Sequence, residues 1–129
     1  MIMSKSISTK NAPAAIGPYS QAICCGNLLF LSGQLPIDTQ TGEITGNTIE
    51  IQTRAICENI KSILGYVHLS FHNVIKTTCY LTDLKYFDQF NKIYSEYFVS
   101  KPARSCVEVS RLPKDVLCEI EIVAEIQYL

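Results

Sequence analysis

The sequence has little charge, and the charge it has is evenly mixed. Of its 129 residues 18% are charged, and 11 Lys and Arg stand against 12 Asp and Glu, a formal net charge of -1. The basic residues are scattered, so there is no basic run of the kind that binds nucleic acid or an anionic membrane. With 47% hydrophobic residues the chain is too apolar to be disordered. The composition predicts a folded protein without a nucleic-acid partner.

No segment is long and apolar enough to cross a bilayer. No hydrophobic run approaches about 20 residues, the length of a membrane span. The polar residues 1–11 lack the apolar core of a secretory signal peptide. These observations predict a cytoplasmic protein with no membrane partner. A length of 129 residues is typical of one domain, and we expect a single domain over residues 1–129.

Metal-binding patterns are missing as well. The chain has only two histidines, His68 and His72, and no CxxC pair among its six cysteines. Zinc sites need His and Cys at short, paired spacings, so we predict no metal site. Without a secretory signal, the cysteines are expected to be free thiols that pack as small apolar side chains. They are Cys24, Cys25, Cys57, Cys79, Cys106 and Cys118.

Two segments have the periodicity of amphipathic helices. The first, Asn47 to Leu64, carries isoleucines at helical spacing and opens with Asn47 and Glu50 in the pattern of a capping box. The second, Tyr86 to Phe98, carries aromatic residues three or four apart and follows the cap-type residue Asp83. It ends before a proline, where a helix must stop.

The other apolar segments are short and rich in β-branched or aromatic residues, which is typical of strands. They are Met3 to Ser8, Tyr19 to Cys24, Leu28 to Gln34, Val74 to Leu81, Ala103 to Val109 and Leu117 to Tyr128. Gly26-Asn27 is predicted to form a tight hairpin turn. Because two helices are interspersed among these strands, we expect an α+β fold with the helices packed on one face of a mixed sheet.

One face of the predicted sheet raises the question of what covers it. The last strand alternates, with its apolar residues on one side and Glu119, Glu121 and Glu125 on the other. Leu28 to Leu31, however, is apolar on both sides, which would leave apolar side chains on the face without helices. A homo-oligomer that buries this face is one explanation. The other is a strand covered by loops of its own chain.

Arg104 is the first candidate for chemistry. It is one of three arginines and falls inside a predicted strand, in phase with Cys106 and Glu108. An arginine pointing away from the helix-covered face offers a planar fork to a carboxylate or phosphate. Glu119, on the polar face of the last strand, is expected to be its neighbour. An ordinary cross-strand salt bridge between these two residues is the competing interpretation.

Three further residues are weaker candidates. Gly33, after Ser32, lets a ligand approach the backbone closely, although a β-bulge needs the same glycine. Tyr19 lies either in a simple turn or in a loop that carries its phenol to a cleft. Cys106 has no histidine placed to deprotonate it, so packing is the favoured role of its thiol. Both histidines are expected to be surface or capping residues.

Several motifs together closely resemble the Rid family, also called YjgF or L-PSP, and within it the imine deaminases. The resemblance runs in order from about Ile7 to the C-terminus. The motifs are Ala15-Ile16-Gly17-Pro18-Tyr19-Ser20-Gln21-Ala22, Ser32-Gly33-Gln34, Gln52-Thr53 with Asn59-Ile60, Phe90-Asn91 with Tyr94 and Phe98, Ala103-Arg104-Ser105-Cys106-Val107-Glu108-Val109, Leu112-Pro113 and Glu119-Ile120-Glu121. The resemblance implies a chorismate-mutase-like α+β fold and a homotrimer with three ligand clefts between subunits.

The resemblance also implies an activity. It is the hydrolysis of 2-imino acids, such as 2-iminobutanoate and 2-iminopropanoate, to 2-oxo acids and ammonia without a metal or organic cofactor. By motif, Arg104 would hold the substrate carboxylate and Glu119 would position or activate the attacking water. The cleft would be lined by Tyr19, Ser32, the backbone of Gly33 and the backbone of Cys106, with Asn91 supporting it.

The sequence departs from the family pattern where the first helix ends. Relatives often have glycine where this chain has Tyr66-Val67-His68, so His68 is expected to adopt the left-handed conformation that glycine takes at little cost. Two other functions stay open beside imine hydrolysis. One is the ribonuclease or translation-inhibitor activity that the L-PSP name asserts. The other is a non-catalytic trimer that senses a ligand or acts like a chaperone.

Overall fold

A computed structural model of the chain describes residues 4–127. Six strands form one mixed sheet and two helices cover one of its faces, which confirms the expected α+β architecture. The elements are β1 (Lys5–Ile7), β2 (Ala22–Cys25), β3 (Leu28–Gln34), α1 (Ile49–Tyr66), β4 (Val74–Leu81), α2 (Phe87–Tyr97), β5 (Ala103–Glu108) and β6 (Cys118–Glu125). Short 3-10 helices occupy Phe71–Asn73, Leu84–Tyr86 and Pro113–Asp115.

The strands lie in the order β1-β2-β3-β6-β4-β5. Every neighbouring pair is antiparallel except β4 and β5, which are parallel and are connected through α2. The hairpin turn at Gly26-Asn27 is confirmed, because Cys25 pairs with Leu28 on either side of it. This order puts β4 between β6 and β5, the two strands that carry Glu119 and Arg104.

Each predicted strand is present at its expected place in the chain, but some strands begin or end at other residues than predicted. The bounds of β3 and β4 are those predicted. The second strand begins at Ala22 instead of Tyr19, because the amide of Tyr19 donates to the carbonyl of Gly17 within a turn. The predicted ends at Met3 and Tyr128 lie outside the described residues.

The N-cap of the first helix lies one residue later than predicted. Thr48, not Asn47, is the N-cap: its backbone is extended, and its hydroxyl accepts a hydrogen bond from the amide of Ile51 at 3.3 Å. At the other end His68 has φ 63°, which confirms the expected left-handed residue. Its amide donates to the carbonyl of Gly65, and the next amide donates to that of Leu64, the pattern of a Schellman motif.

The core lies between the helices and one face of the sheet. On β6 the residues facing the helices are fully or almost fully buried; they are Cys118, Ile120, Ile122 and Ala124. They pack with α1 and α2 side chains that include Ile56, Ile60, Ile63 and Phe90. Cys57 and Cys79 are buried in the same cluster, as expected of thiols that act as small apolar groups.

The opposite face of the sheet, called the outer face below, is only partly covered. Phe30 is 43% exposed and Val107 is 42% exposed, although both lie on strands. The interpretation in which loops of the same chain cover this face is therefore wrong for the described residues.

Within residues 4–127 no helix combines the length and the hydrophobicity required to cross a bilayer.

Candidate functional site

Glu119 lies in a cavity of about 610 Å³ on the outer face, called the glutamate cavity below. Three predicted site residues, Tyr19, Ser32 and Gly33, line this cavity with Glu119. Burial, and after it the negative charge of Glu121, raise the pKa of the Glu119 carboxyl above its usual value. A half-buried carboxyl with a raised pKa holds its proton to higher pH than an exposed one, which suits a group that must take up and return a proton in general acid–base catalysis.

Gly33 makes room for this carboxyl. A Cβ atom on Gly33 would lie 2.8 Å from the Glu119 carboxyl carbon, and it would clash still more severely with Oε2. The register of β3 against β6 shifts at this point, since Leu31 pairs with Ile122 but Gln34 pairs with Ile120. The β-bulge, one of the two alternatives for this glycine, therefore occurs, and the group packed against Gly33 is the Glu119 carboxyl, while approach of a ligand to the Gly33 backbone stays a prediction.

The walls of the glutamate cavity are held by buried polar side chains. The Ser32 hydroxyl donates to the carbonyl of Ser20 at 2.6 Å and so fixes the loop that carries Tyr19. The Gln21 amide nitrogen donates to the carbonyl of Pro13 at 2.7 Å, which holds the preceding segment. From α1, the Asn59 amide donates to the carbonyls of Leu35 and Ile37, two residues that line the same cavity.

Arg104 lies elsewhere, against α2. Its Nη1 donates to Oδ1 of Asn91 at 2.7 Å. Its guanidinium carbon is 4.8 Å from the ring centre of Tyr94 and 5.5 Å from that of Phe87. These four residues are called the arginine cluster below, and a groove of about 520 Å³ runs beside it. The hydrogen bond and the aromatic rings restrain the guanidinium, as a carboxylate-binding arginine requires.

Cys106 lies on the same face of β5 as Arg104. It pairs directly with Cys79 of β4 and packs against the core. Burial raises the pKa of its thiol, against the opposing effect of Arg104. A raised pKa leaves less thiolate, so the cysteine is a poor nucleophile, in agreement with the packing role favoured from the sequence.

The expected proximity of Arg104 and Glu119 is wrong within one chain. Arg104 points toward the helices, not away from them, whereas Glu119 lies on the outer face. Strand β4 also separates their two strands, which are thus roughly 9–10 Å apart within the sheet. The cross-strand salt bridge between these residues is excluded for the same reason. Residues that pair across neighbouring strands lie on the same face of a sheet. Arg104 pairs with Thr77, which is buried on the helix side, whereas Glu119 pairs with Tyr80, which lies on the outer face.

Several residues at the two sites were not singled out as site residues from the sequence. Tyr94 and Phe87 belong to the aromatic residues whose spacing predicted the second helix, and both of their rings also contact the Arg104 guanidinium. The Tyr94 hydroxyl is 2.7 Å from Oγ1 of Thr77, and burial raises its pKa to about 12, so it stays neutral. Glu121 and Tyr80 were also missed. The sequence signal that could have indicated Glu121 is the alternation of the last strand, which places Glu121 on the same side as Glu119.

No metal site is formed by these groups. Among residues 4–127, the His, Cys, Asp and Glu side chains are nowhere gathered in threes as a metal ion would need. Both histidines are exposed, as expected.

Comparison with known proteins identifies the family. The sequence model of the family described as Endoribonuclease L-PSP matches residues 9–126. A RutC family protein of Pyrococcus horikoshii is 58% identical over 123 residues, covering 95% of this chain and 98% of the relative. The 2-iminobutanoate/2-iminopropanoate deaminase of Escherichia coli is 45% identical over 126 residues, with the same coverage of both chains.

Solved structures agree with the sequence comparison. The crystal structure of Escherichia coli TdcF with bound serine superposes with a TM-score of 0.90 at 44% identity, covering 95% of this chain and 99% of that one. The match to the family extends over nearly all described residues and includes both the glutamate cavity and the arginine cluster. The chain therefore belongs to the L-PSP family, also known as the YjgF or Rid family.

Proposed function

We propose that this protein is an imine deaminase that hydrolyses 2-imino acids, such as 2-iminobutanoate and 2-iminopropanoate, to 2-oxo acids and ammonia. The proposal includes a homotrimer whose three sites lie between neighbouring subunits, each combining the glutamate cavity of one with the arginine cluster of the next. The buried thiols of Cys57, Cys79 and Cys118 suit a reducing compartment, and we predict a cytoplasmic location.

One observation carries this proposal: the two clusters are complementary in chemistry but lie on opposite faces of one sheet. Arg104 can bind a carboxylate, and Glu119 can exchange a proton, yet within one chain they cannot reach the same small molecule. Contact between copies of the chain would bring them together. The exposed Phe30 and Val107 on the outer face supply apolar surface for such a contact.

In the proposed mechanism Arg104 binds the substrate carboxylate through charge-assisted hydrogen bonds, each worth about 1.5–3 kcal/mol. Asn91 and the ring of Tyr94 hold the guanidinium in place. This fixes C2 of the imine against the neighbouring subunit. Tyr19, Ser32 and the backbone of Gly33 line that side of the site, and the backbone of Cys106 lies on the arginine side.

Glu119 then carries the proton. As a carboxylate it removes a proton from water as the oxygen attacks C2 of the protonated imine, which gives a tetrahedral carbinolamine. The carboxylic acid so formed returns the proton to the nitrogen. As the C–N bond breaks, the carbinolamine hydroxyl gives its proton to the Glu119 carboxylate and the C2=O bond forms, and the departing ammonia takes up that proton to leave as ammonium. The substrate and one water are converted to the 2-oxo acid and ammonium. The raised pKa of Glu119 suits a group that must first accept this proton and then donate it.

The test follows 2-oxo acid release from an imine made in place. A threonine or serine dehydratase generates the imine, and the rate of 2-oxo acid formation is measured with and without this protein. We expect faster release with the wild-type chain and no acceleration with Glu119→Gln. Release that stays at the uncatalysed rate would show that the proposal is wrong, and RNA cleavage or turnover-free ligand binding by the same preparation would then identify the alternative.

The quaternary part of the proposal is tested separately. Light scattering at micromolar concentration is expected to give a mass three times that of the 14.4 kDa chain. A monomeric mass together with full imine hydrolysis would contradict the shared site.

A further inference from the structure

Glu119 has a second carboxyl beside it, and that carboxyl is itself held by a tyrosine. Glu121 follows Glu119 by two residues on β6, so both project from the outer face, and both line the glutamate cavity. Tyr80 on β4 pairs with Glu119 in the register of the sheet. Its hydroxyl nevertheless reaches diagonally and donates to Oε1 of Glu121 at 2.7 Å.

The charged and titratable groups around Glu119 come from several elements. On its own strand it faces Glu121, and from β4 it faces Tyr80. Tyr19 and Lys114 line the cavity from the two adjoining loops. From β3 the contact is the backbone of Gly33. In the proposed trimer the Arg104 guanidinium of a neighbouring copy also faces this cavity.

Glu121 has surroundings of its own. It lines a second cavity on the outer face, of about 380 Å³, together with Lys76. The Lys76 ammonium donates to the backbone carbonyl of Thr77 at 3.2 Å. The direct hydrogen-bond donor to the Glu121 carboxylate is the Tyr80 hydroxyl, whose own pKa is raised to about 12 by this bond and by burial. Tyr80 therefore remains a donor throughout the range in which carboxyl groups titrate.

We infer that Tyr80 and Glu121 are positioning residues for proton transfer by Glu119: the Tyr80 hydroxyl holds the Glu121 carboxylate on the outer face beside Glu119, where its charge makes Glu119 a stronger proton acceptor. The inference rests on the proposed function for its purpose, because proton transfer by Glu119 matters only if the site is catalytic. Neither residue needs to touch the substrate. Glu121 acts on Glu119 by charge repulsion, and Tyr80 acts on Glu119 through its hydrogen bond to Glu121.

The sign of the effect follows from this arrangement. Tyr80→Phe removes the hydrogen bond that holds the Glu121 carboxylate in place, so this carboxylate is free to turn toward solvent and away from Glu119. Glu119 then faces less negative charge and loses its own proton at lower pH. Glu121→Gln removes the charge entirely and acts in the same direction with a larger effect. We expect the titration midpoint of Glu119 to fall by about 0.5 pH unit in Tyr80→Phe and about 1 unit in Glu121→Gln.

The measurement is a carbon-13 NMR titration of the full-length protein with labelled glutamate carboxyls, in which the Glu119 signal is assigned by its loss in Glu119→Gln. In the double variant Tyr80→Phe/Glu121→Gln we expect the midpoint of Glu121→Gln alone, because Tyr80 acts only through Glu121. Tyr66→Phe, which removes the hydroxyl of an exposed tyrosine on α1, is the matched control and should leave the midpoint in place.

The outcomes separate this inference from the proposed function. An unchanged Glu119 midpoint in Tyr80→Phe and Glu121→Gln, or a Tyr80→Phe shift that persists in full in the Glu121→Gln background, would overturn the inference. If Glu121→Gln does not fold, the Glu119 midpoint in Tyr80→Phe alone tests the inference, because this variant removes only one hydroxyl group and should keep the fold. In active enzyme the acidic side of the profile of kcat/KM against pH should move to lower pH, by the same amount as the Glu119 midpoint in each variant. If the wild-type protein hydrolyses no 2-imino acid, the proposed function is wrong, and the NMR titration still decides the protonation of Glu119.

Discussion

The carboxyl group of Glu119 lies directly over the α-carbon of Gly33, in space that any other side chain would fill. The contact joins β6 to the bulge in β3, so the acid–base group is positioned by the backbone of a neighbouring strand. The close contact with the backbone of β3 therefore fixes how deeply Glu119 lies in its cavity.

Gly33→Ala is expected to displace this carboxyl and to lower imine hydrolysis. The added methyl group would clash with the Glu119 side chain, and misplacing a catalytic group by about 1 Å costs on the order of 10²-fold in kcat/KM. Gly65→Ala is the matched control, because a Cβ there meets nothing within 4 Å. Steady-state kinetics and a thermal melt of both variants make the comparison. Equal activity in the two variants would contradict the positioning role of Gly33.

Arg104→Lys should lose activity while the fold is kept. Lysine retains the charge but not the planar pair of donors, and it cannot stack on Tyr94 in the same way. We expect a loss on the order of 10² in kcat/KM, about 2.7 kcal/mol of transition-state stabilisation. The control is Arg54→Lys, which alters an exposed arginine paired with Glu96 on the helix surface. A wild-type rate in Arg104→Lys would remove the arginine from the proposed mechanism.

Glu119→Gln should separate binding from turnover. The amide keeps the shape of the side chain but cannot take a proton from water, so kcat is expected to fall while binding of a 2-oxo acid product is retained. Binding is measured by calorimetry and turnover by 2-oxo acid release. Undiminished turnover would mean that another group activates the water.

Mixed trimers give the most direct test of a shared site. Chains with Arg104→Ala and chains with Glu119→Gln are each expected to be inactive alone. When the two are co-expressed with different affinity tags, some interfaces combine an intact Arg104 from one chain with an intact Glu119 from the other. Random assembly should restore about a quarter of the wild-type sites. A site built within one chain would instead leave the mixture as inactive as its components.

His68→Gly should stabilise the fold. His68 adopts φ 63° at the end of α1, a conformation that costs a residue with a Cβ about 1 kcal/mol and costs glycine little. After the greater unfolded-state freedom of glycine is subtracted, we expect a rise in Tm of roughly 1–4 °C. His72→Gly is the control, since His72 is equally exposed but lies in a 3-10 helix with negative φ, and it should lower Tm. An equal response of the two variants would contradict the strain at His68.

Local sequence patterns were sufficient for most of the elements. The isoleucine spacing of α1, the alternation of β6 and the Gly26-Asn27 turn each depend on residues close together in the chain, and each is confirmed. The cap of α1 was misplaced by one residue because Asn47 and Thr48 are both good caps, and the choice depends on which backbone is extended after the turn at Gly46.

The residues of the candidate site were also found from the sequence, by their motifs, but their arrangement was not. Whether Arg104 faces the helices depends on its pairing with Thr77 of β4, and these two residues are separated in the chain by the whole of α2. The approach of Glu119 to Gly33 and the bond from Tyr80 to Glu121 likewise join strands that are distant in the chain. The sequence by itself determined the fold class and the family, because these follow from local periodicity and from the motifs shared with the family, whereas the roles of Arg104 and Glu119 stay predictions. Only the tertiary structure decided that the arginine and the glutamate occupy opposite faces, because strand order and register are properties of the packed sheet and not of any one segment.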